Sequence, residues 1–362
     1  MLSAREKISV RQSVILFILF VFSPSLRLLP STAAKTAERA GWLTPIFSIL
    51  PFICLVYILQ ALFKNNKDAN LSDIIFKTLG KILGSVLLIL YLIWMIITLG
   101  IFVRYFAERF LTTLLPNTPM NFFTVTFLAV IFYAIRGGIV YISRTAEFLF
   151  LMFSALFATL FLLNLPNLEV INLFPVTHHD ILPLLKSSYS SVGLWGAITY
   201  IFFFGDKIND KEHIKKFGIQ SIIYLVIASM MLLIQTIGMY GYSVIERVSM
   251  PYVFVIKSIS ILQTIERIES VAVVSWLLLD FVAIPVILYI IVCIIKSLFS
   301  LSDEKPLISP VVIFAFVFSQ YLAHDIFELE SFSIIISIPI SIVFGFIFPF
   351  IIFIIGKIRK TI

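Results

Sequence analysis

The residue best placed to do chemistry in this sequence is an aspartate in an unfavourable setting. Asp280 stands in "SWLLLDFVAIPV", in the middle of a long apolar run. A carboxylate at membrane depth is costly and reads as functional by default. It could relay a proton, pair with a cation such as Arg104 or Lys257, or make a structural hydrogen bond inside a helix bundle. A second group is "FVFSPSLRLLPST", residues 21–33, where Ser23, Pro24 and Ser25 interrupt an apolar run and Arg27 and Pro30 follow. Proline removes a backbone donor and crowds the preceding turn. Ser23, Ser25 and freed backbone near Leu26 are therefore candidates to touch a small ligand. The plainer alternative is a proline kink whose backbone groups are satisfied by neighbouring helices. Arg27 reads as a side chain that snorkels to the outer surface, with pairing to a carboxylate ligand or an acidic side chain as the alternative.

A third group lies in "LKSSYSSVGLWGAITY". Ser190, Ser191 and Gly193 could present hydroxyls and open backbone to a ligand, or could simply let helices pack closely. Tyr91 and Trp94 fall on one helical face and could wall a pocket, although aromatics in so apolar a chain usually pack. His178 and His179 beside Asp180 are weak as a metal site, since no further ligands lie near. The sequence has no paired metal-ligand spacing, no Gly-x-Ser-x-Gly elbow and no phosphate-cradling glycine loop. The expectation is a protein that is not an enzyme and carries no cofactor or metal. Glu147 and Glu269 sit at the edges of apolar runs and read as structural, with Arg144 and Arg267 as partners.

The elements that must position these groups are membrane helices. Hydrophobic residues make up 60% of the 362 residues and charged residues 13%, and the mean hydropathy is +1.07; a soluble domain has about 25% charged residues. Apolar runs of roughly 17 to 25 residues suit helices crossing about 30 Å. Barrel strands would alternate over about ten residues, which these runs do not. The fold class is an all-α polytopic membrane protein in a single domain, with spans expected at about 11–31, 42–63, 82–103, 120–136, 145–164, 185–205, 217–241, 271–296, 307–323 and 333–356. The stretch 165–184 reads as a loop, and 243–270 as an amphipathic helix lying at the membrane surface or capping a vestibule. No cleavable signal peptide is expected, although "SPS" followed by "STAA" imitates one. Cys54 and Cys293 lie in apolar runs and read as buried free thiols.

With both termini cytoplasmic, eighteen of the 27 basic residues fall on the inner side, which matches the inside-positive bias of membrane proteins. The net charge of +7 is accordingly read as topology, with the bilayer and not nucleic acid as the partner. Ten spans divide into halves of opposite topology, about 10–164 and 185–356. The first span of each half is disturbed, one by "SPSLRLLP" and the other by serines and glycines near its start. Paired interruptions in inverted halves point to a transporter-type binding site, so spans 1 and 6 are expected to be broken helices that hold a ligand between them.

Four stretches then carry a family resemblance: "KISVRQ" with "LPSTAAKTAERAGWLTPI"; "GGIVYISRTAEFLF" with Gly138, Arg144 and Glu147; "LPNLEVINLFPV"; and "ERIESVAVVSW". Their order and spacing resemble the B subunits of nutrient germinant receptors in endospore-forming bacteria, spore-germination permease-like proteins of the amino acid–polyamine–organocation superfamily. The resemblance implies a 5+5 inverted-repeat fold and a subunit that binds a small nutrient, an amino acid first, with a nucleoside-like or sugar molecule as alternatives, and signals by changing conformation. It also implies a larger membrane A subunit and a lipid-anchored C subunit as partners, in the spore's inner membrane. Two departures leave the ligand open, with a more apolar or uncharged small molecule and a loss of coupling to a proton or cation among the alternatives. Ser23-Pro24-Ser25 stands where the family often has a glycine-containing break, and Leu194 stands where many members place an acid after Gly193. An autonomous proton- or sodium-coupled amino acid transporter is the alternative, favoured by Asp280 and disfavoured by Leu194.

Overall fold

A computed structural model describes residues 7–113, 115–257 and 269–360. The ten apolar segments are helices: α1 Val10–Ala37, α2 Ile49–Lys64, α3 Lys81–Thr113, α4 Met120–Arg136, α5 Ile139–Asn164, α6 Ile181–Trp195, α7 Ile214–Tyr240, α8 Glu269–Phe299, α9 Lys305–Tyr321 and α10 Ile326–Ile358. Among the described residues, six helical stretches are long and apolar enough to cross a membrane, the first of which, Val10–Lys64, contains both α1 and α2. The chain is a multi-pass membrane protein.

Two helices form the centre. α1 starts at Ser9, whose hydroxyl accepts from the Gln12 backbone while Gln12 returns a bond to the Ser9 N–H, satisfying donors that a helix start leaves open. From Leu16 to Ala34 it is buried on nearly every face, as a helix apolar all round must be, and it packs on α5, α6, α7 and α8. α8 is the other central element: 83% of its most apolar window is inside the protein. α3 and α9 lie alongside, with large hydrophobics such as Ile82 and Ile313 facing outward.

The structure corrects the expected breaks. α1 is a continuous helix with Pro24 and Pro30 inside it. The two prolines withdraw the donors that the carbonyls of Phe20 and Leu26 would meet in a regular helix, but do not unwind it. Ser25 bonds the Val21 carbonyl at 2.8 Å and Thr32 that of Leu28 at 2.6 Å, so hydroxyls take up part of the local polar balance. The sixth segment does break, but below the expected place. Its serines are helical, and the interruption falls at Gly196–Ala197, after which the chain resumes as Ile198–Ile201.

Packing explains that position. A Cβ on Gly196 would sit 2.7 Å from the Phe346 ring, and one on Gly345 would sit 2.8 Å from the Gly196 backbone. The sixth segment and α10 therefore cross backbone to backbone. α10 makes room with two wide π-type turns, Ser333–Ser337 and Val343–Ile347. Such turns recur at functional sites. The carbonyls loosened in the second turn are met by Tyr91, 2.7 Å from Phe344 O, and Thr199, 2.8 Å from Gly345 O.

Other expectations are also revised. The described part of 243–270 contains the short helix Pro251–Lys257, whose Tyr252, Val253, Val255 and Ile256 are buried against the bundle, so this part does not lie flat on a membrane; Glu246 to Ser249, just before it, line a vestibule, in line with the other alternative. The rest of that stretch, including the expected Arg267–Glu269 pairing, falls outside the described residues. Glu147 accepts from Gln12 at 3.2 Å and forms no ion pair with Arg144, which is exposed. Cys293 is buried, but Cys54 is exposed. The 165–184 loop folds back over α7, where Glu169 N–H bonds Gly238 O at 2.9 Å.

Candidate functional site

Beside Pro24 the interior holds two adjoining polar regions. The first surrounds Asp280. Ser23 Oγ donates to Asp280 Oδ1 at 2.5 Å, and Arg109 Nη1 donates to Asp280 Oδ2 at 2.6 Å. The Trp276 indole N–H donates to Ser23 Oγ at 3.1 Å, and the Arg109 guanidinium stacks on the Trp276 ring, 3.8 Å from its centre. Asp280 and Arg109 are 1% and 3% exposed. Buried ions persist only when paired and hydrogen-bonded, and both carboxylate oxygens are. The pair ties α1, α3 and α8 together. Only a pocket of about 10 Å³ remains beside it, about one water's worth of room.

The partners expected for Asp280 are thereby corrected. Arg104 instead pairs with Glu108 at 2.8 Å and donates to the carbonyls of Gln320 and His324. Arg109 escaped the sequence reading because α3 was expected to end at 103, whereas it runs to Thr113 and carries Arg109 inside.

The second region is a cavity of about 60 Å³ enclosed by α1, α3, the break in the sixth segment and α10. Its wall is apolar where Phe20, Ile101, Phe102 and Leu194 contribute, and polar at Arg27, Thr98, Tyr200, Ser333, Ser337 and Ser341. Arg27 is 5% exposed, so it does not snorkel. Its guanidinium lies over the Tyr105 ring, 3.1 Å from the centre, and its Nε has no hydrogen-bond partner. Glu330 and Asp280 are electrostatic neighbours of Arg27, but among the described residues no carboxylate forms an ion pair with it. The hydroxyl of Ser337 is likewise buried without a partner. Ser333, Ser337 and Ser341 recur every fourth residue in "SFSIIISIPIS". That spacing, one face of a helix, is the signal that could have found them. Beyond the cavity, and sharing Ile338 with it, is an open vestibule lined by Lys35, Lys186, Ser190 and Glu330.

The residues singled out from sequence divide between these places. Trp94 lines the cavity and bonds Tyr200 OH at 3.2 Å. Ser23 belongs to the Asp280 network and Ser190 to the vestibule. Tyr91 is buried in an aromatic cluster with Phe203 and Phe344. Ser25 and Leu26 are fully buried and line no cavity described above. Ser191 is buried with an unpartnered hydroxyl outside those linings. Gly193 is a packing glycine: a Cβ there would sit 2.9 Å from the Ile338 carbonyl.

A family described as spore germination protein matches residues 7–326. Spore germination protein KB of Bacillus subtilis strain 168 is 22% identical over 364 residues, covering 98% of this chain and 96% of that protein. Putative spore germination protein YfkT of the same organism is 22% identical and covers 97% of each chain. Among solved structures, Mhp1, a nucleobase-cation-symport-1 family transporter in a closed conformation with bromovinylhydantoin bound, superposes with a TM-score of 0.68 at 12% identity, over 96% of this chain and 78% of that one. MhsT in complex with L-phenylalanine gives 0.64 at 14% identity, over 97% and 88%. These likenesses establish a helical, transporter-like membrane fold.

Proposed function

The chain belongs to the spore germination protein family, and we propose that it is the membrane-embedded nutrient-binding subunit of a spore germinant receptor. A small nutrient, an amino acid in the simplest case, sits in the cavity between α1, α3, the sixth-segment break and α10. The observation that carries this reading is an interior cavity, apolar on one side and polar on the other, two of whose lining residues, Arg27 and Ser337, hold buried polar atoms without partners. Buried polar atoms normally have partners, and a ligand would supply them. The walls include the least regular backbone in the bundle, the Gly196–Ala197 interruption and the Ser333–Ser337 π-turn. A ligand that fits one arrangement of those turns better than another shifts the population between them. That shift is the signal passed to partners, an A subunit in the membrane and a lipid-anchored C subunit, in the spore inner membrane with both termini of this chain cytoplasmic.

The second reading is autonomous amino acid transport coupled to a proton or sodium ion, favoured by a buried carboxylate in a transporter-like fold. Against it, Asp280 is already paired with Arg109 and hydrogen-bonded by Ser23, and only about one water's worth of room remains beside it.

The test uses spores lacking the gene, scored for germination against amino acids, nucleosides and sugars, then complemented with wild type or Ala197→Leu, which narrows the cavity. The expected result is loss of response to one nutrient, restored by wild type and not by Ala197→Leu. An unchanged response to every nutrient, together with nutrient uptake by liposomes holding the purified chain, would replace the receptor with the transporter.

A further inference from the structure

The two polar regions together hold two buried guanidiniums, Arg27 and Arg109, and one carboxylate fully inside the bundle, Asp280. Asp280 is committed to Arg109 at 2.6 Å, so the interior beside Pro24 carries one positive charge in excess. Glu330 faces Arg27 only from the vestibule and forms no ion pair with it. An unpaired ion in a membrane interior is expensive. The Tyr105 ring offsets part of that cost, but it leaves the Arg27 Nε–H without an acceptor.

We propose that Arg27 is the recognition group for a carboxylate-bearing ligand, whose anionic end enters the cavity and supplies the missing counter-charge. This rests on the ligand cavity proposed above and narrows what it takes. A guanidinium presents paired N–H donors that match a carboxylate in geometry as well as charge. The orphaned Ser337 hydroxyl offers a further bond. Phe20 lines the cavity, and its carbonyl lacks the donor that Pro24 cannot provide, which leaves an acceptor for an ammonium on the same ligand. The ligand class is a small carboxylate, with or without an α-amino group, as against an uncharged nucleoside or hexose.

The experiment is a binding titration on the purified full chain in detergent, followed by thermal shift and by the fluorescence of cavity-lining Trp94. The probes are glycine, L-alanine and L-lactate, each against its neutral amide. The expected result is binding of at least one carboxylate and more than about 30-fold weaker binding of its amide, the size of effect seen when one member of a buried charge pair is removed. Arg27→Gln should remove that preference, and Arg27→Lys should keep it at reduced affinity. Equal binding of an acid and its amide to wild type overturns the inference without any variant, as does an Arg27→Gln chain that retains the preference. The cavity reading fails separately. If neutral molecules bind and Ala197→Leu blocks them, the cavity stands and only the carboxylate is wrong. If nothing that binds is affected by Ala197→Leu, both fall.

Discussion

Arg27 and Arg109 are the same side chain in nearly the same surroundings, and the protein treats them oppositely. Both are at most 5% exposed, and both lie flat on an aromatic ring, Tyr105 for one and Trp276 for the other. Arg109 has a carboxylate at 2.6 Å, itself held by Ser23. Both guanidiniums leave Nε without a partner, but Arg27 has only a ring and an adjoining cavity where Arg109 has its carboxylate. The completed pair is what a fold uses to fix the relation of α1, α3 and α8. The uncompleted charge has no structural use, because a buried ion without a partner weakens the protein that holds it. Its place beside an enclosed cavity gives it a use in recognition.

The comparison breaks most sharply at Arg109. Arg109→Met should cost about 3–5 kcal/mol by leaving Asp280 buried and unpaired, read as a large drop in the unfolding midpoint of the purified chain. Asp280→Asn should cost less than Arg109→Met but still destabilise, and combining the two should recover much of the loss. Additive losses would show that the pair is not coupled and that Asp280 acts through another group. Next in size is the glycine crossing beside the cavity. Gly345→Ala puts a methyl 2.8 Å from the Gly196 backbone. It should cost about 1–3 kcal/mol, as overpacking does, and lower ligand response at unchanged expression. Gly193→Leu, pressed against the Ile338 carbonyl, should act similarly by displacing α10. Arg27→Met inverts the sign expected at Arg109: stability within about 1 kcal/mol of wild type or higher, because it removes an unpaired charge and a cation–π contact of comparable size. A collapse of Arg27→Met to the level of Arg109→Met would mean that Arg27 has a structural partner after all.

The helices were legible in the sequence because the membrane imposes a length and a composition on each of them. Segment order, number and approximate bounds follow from apolar runs alone. The charge pair was half legible: Asp280 stands out in an apolar run, but its partner lay in "RYFAERF", beyond the expected end of α3, where the bilayer no longer disciplines composition. The site was legible as a place more than as residues. Prolines in α1 and glycines in the sixth segment marked where two elements meet. Whether a given serine turned inward depended on long-range packing, such as the glycine crossing of the sixth segment with α10. Ser25 and Ser191 lie outside the cavity, while Ser333 and Ser337 line it; their spacing was visible in the sequence, but the π-turn that holds them was not. Arg27 misled for a related reason. Its place near one end of an apolar run suggested escape to the surface, but α1 extends to Ala37, which leaves Arg27 deep inside.

A third ion cluster provides the mild end of the scale. Glu304, in the loop between α8 and α9, accepts from Lys296 at 2.7 Å and from Lys207 and Tyr289. The N-terminal segment is tied to the same place, since Ile8 N–H bonds Lys207 O at 2.9 Å. Partial burial pushes the Glu304 carboxyl up, but the hydrogen bonds and charges of Lys207 and Lys296 outweigh it and hold the group at about 2, below the ordinary 4.5. A carboxyl depressed in the folded state stabilises above its unfolded pKa, and that contribution is lost as pH falls through the folded value. Wild type should therefore lose stability between about pH 4.5 and 2 by a term that Glu304→Gln lacks. At neutral pH the substitution should cost that same term, which is smaller than the Arg109→Met loss because this cluster is partly open to water. Unfolding curves of both chains across that range decide the point. A Glu304→Gln loss as large as that of Arg109→Met would place the main structural pin of this protein at the membrane face, and the contrast between its two buried arginines would no longer explain what holds the bundle together.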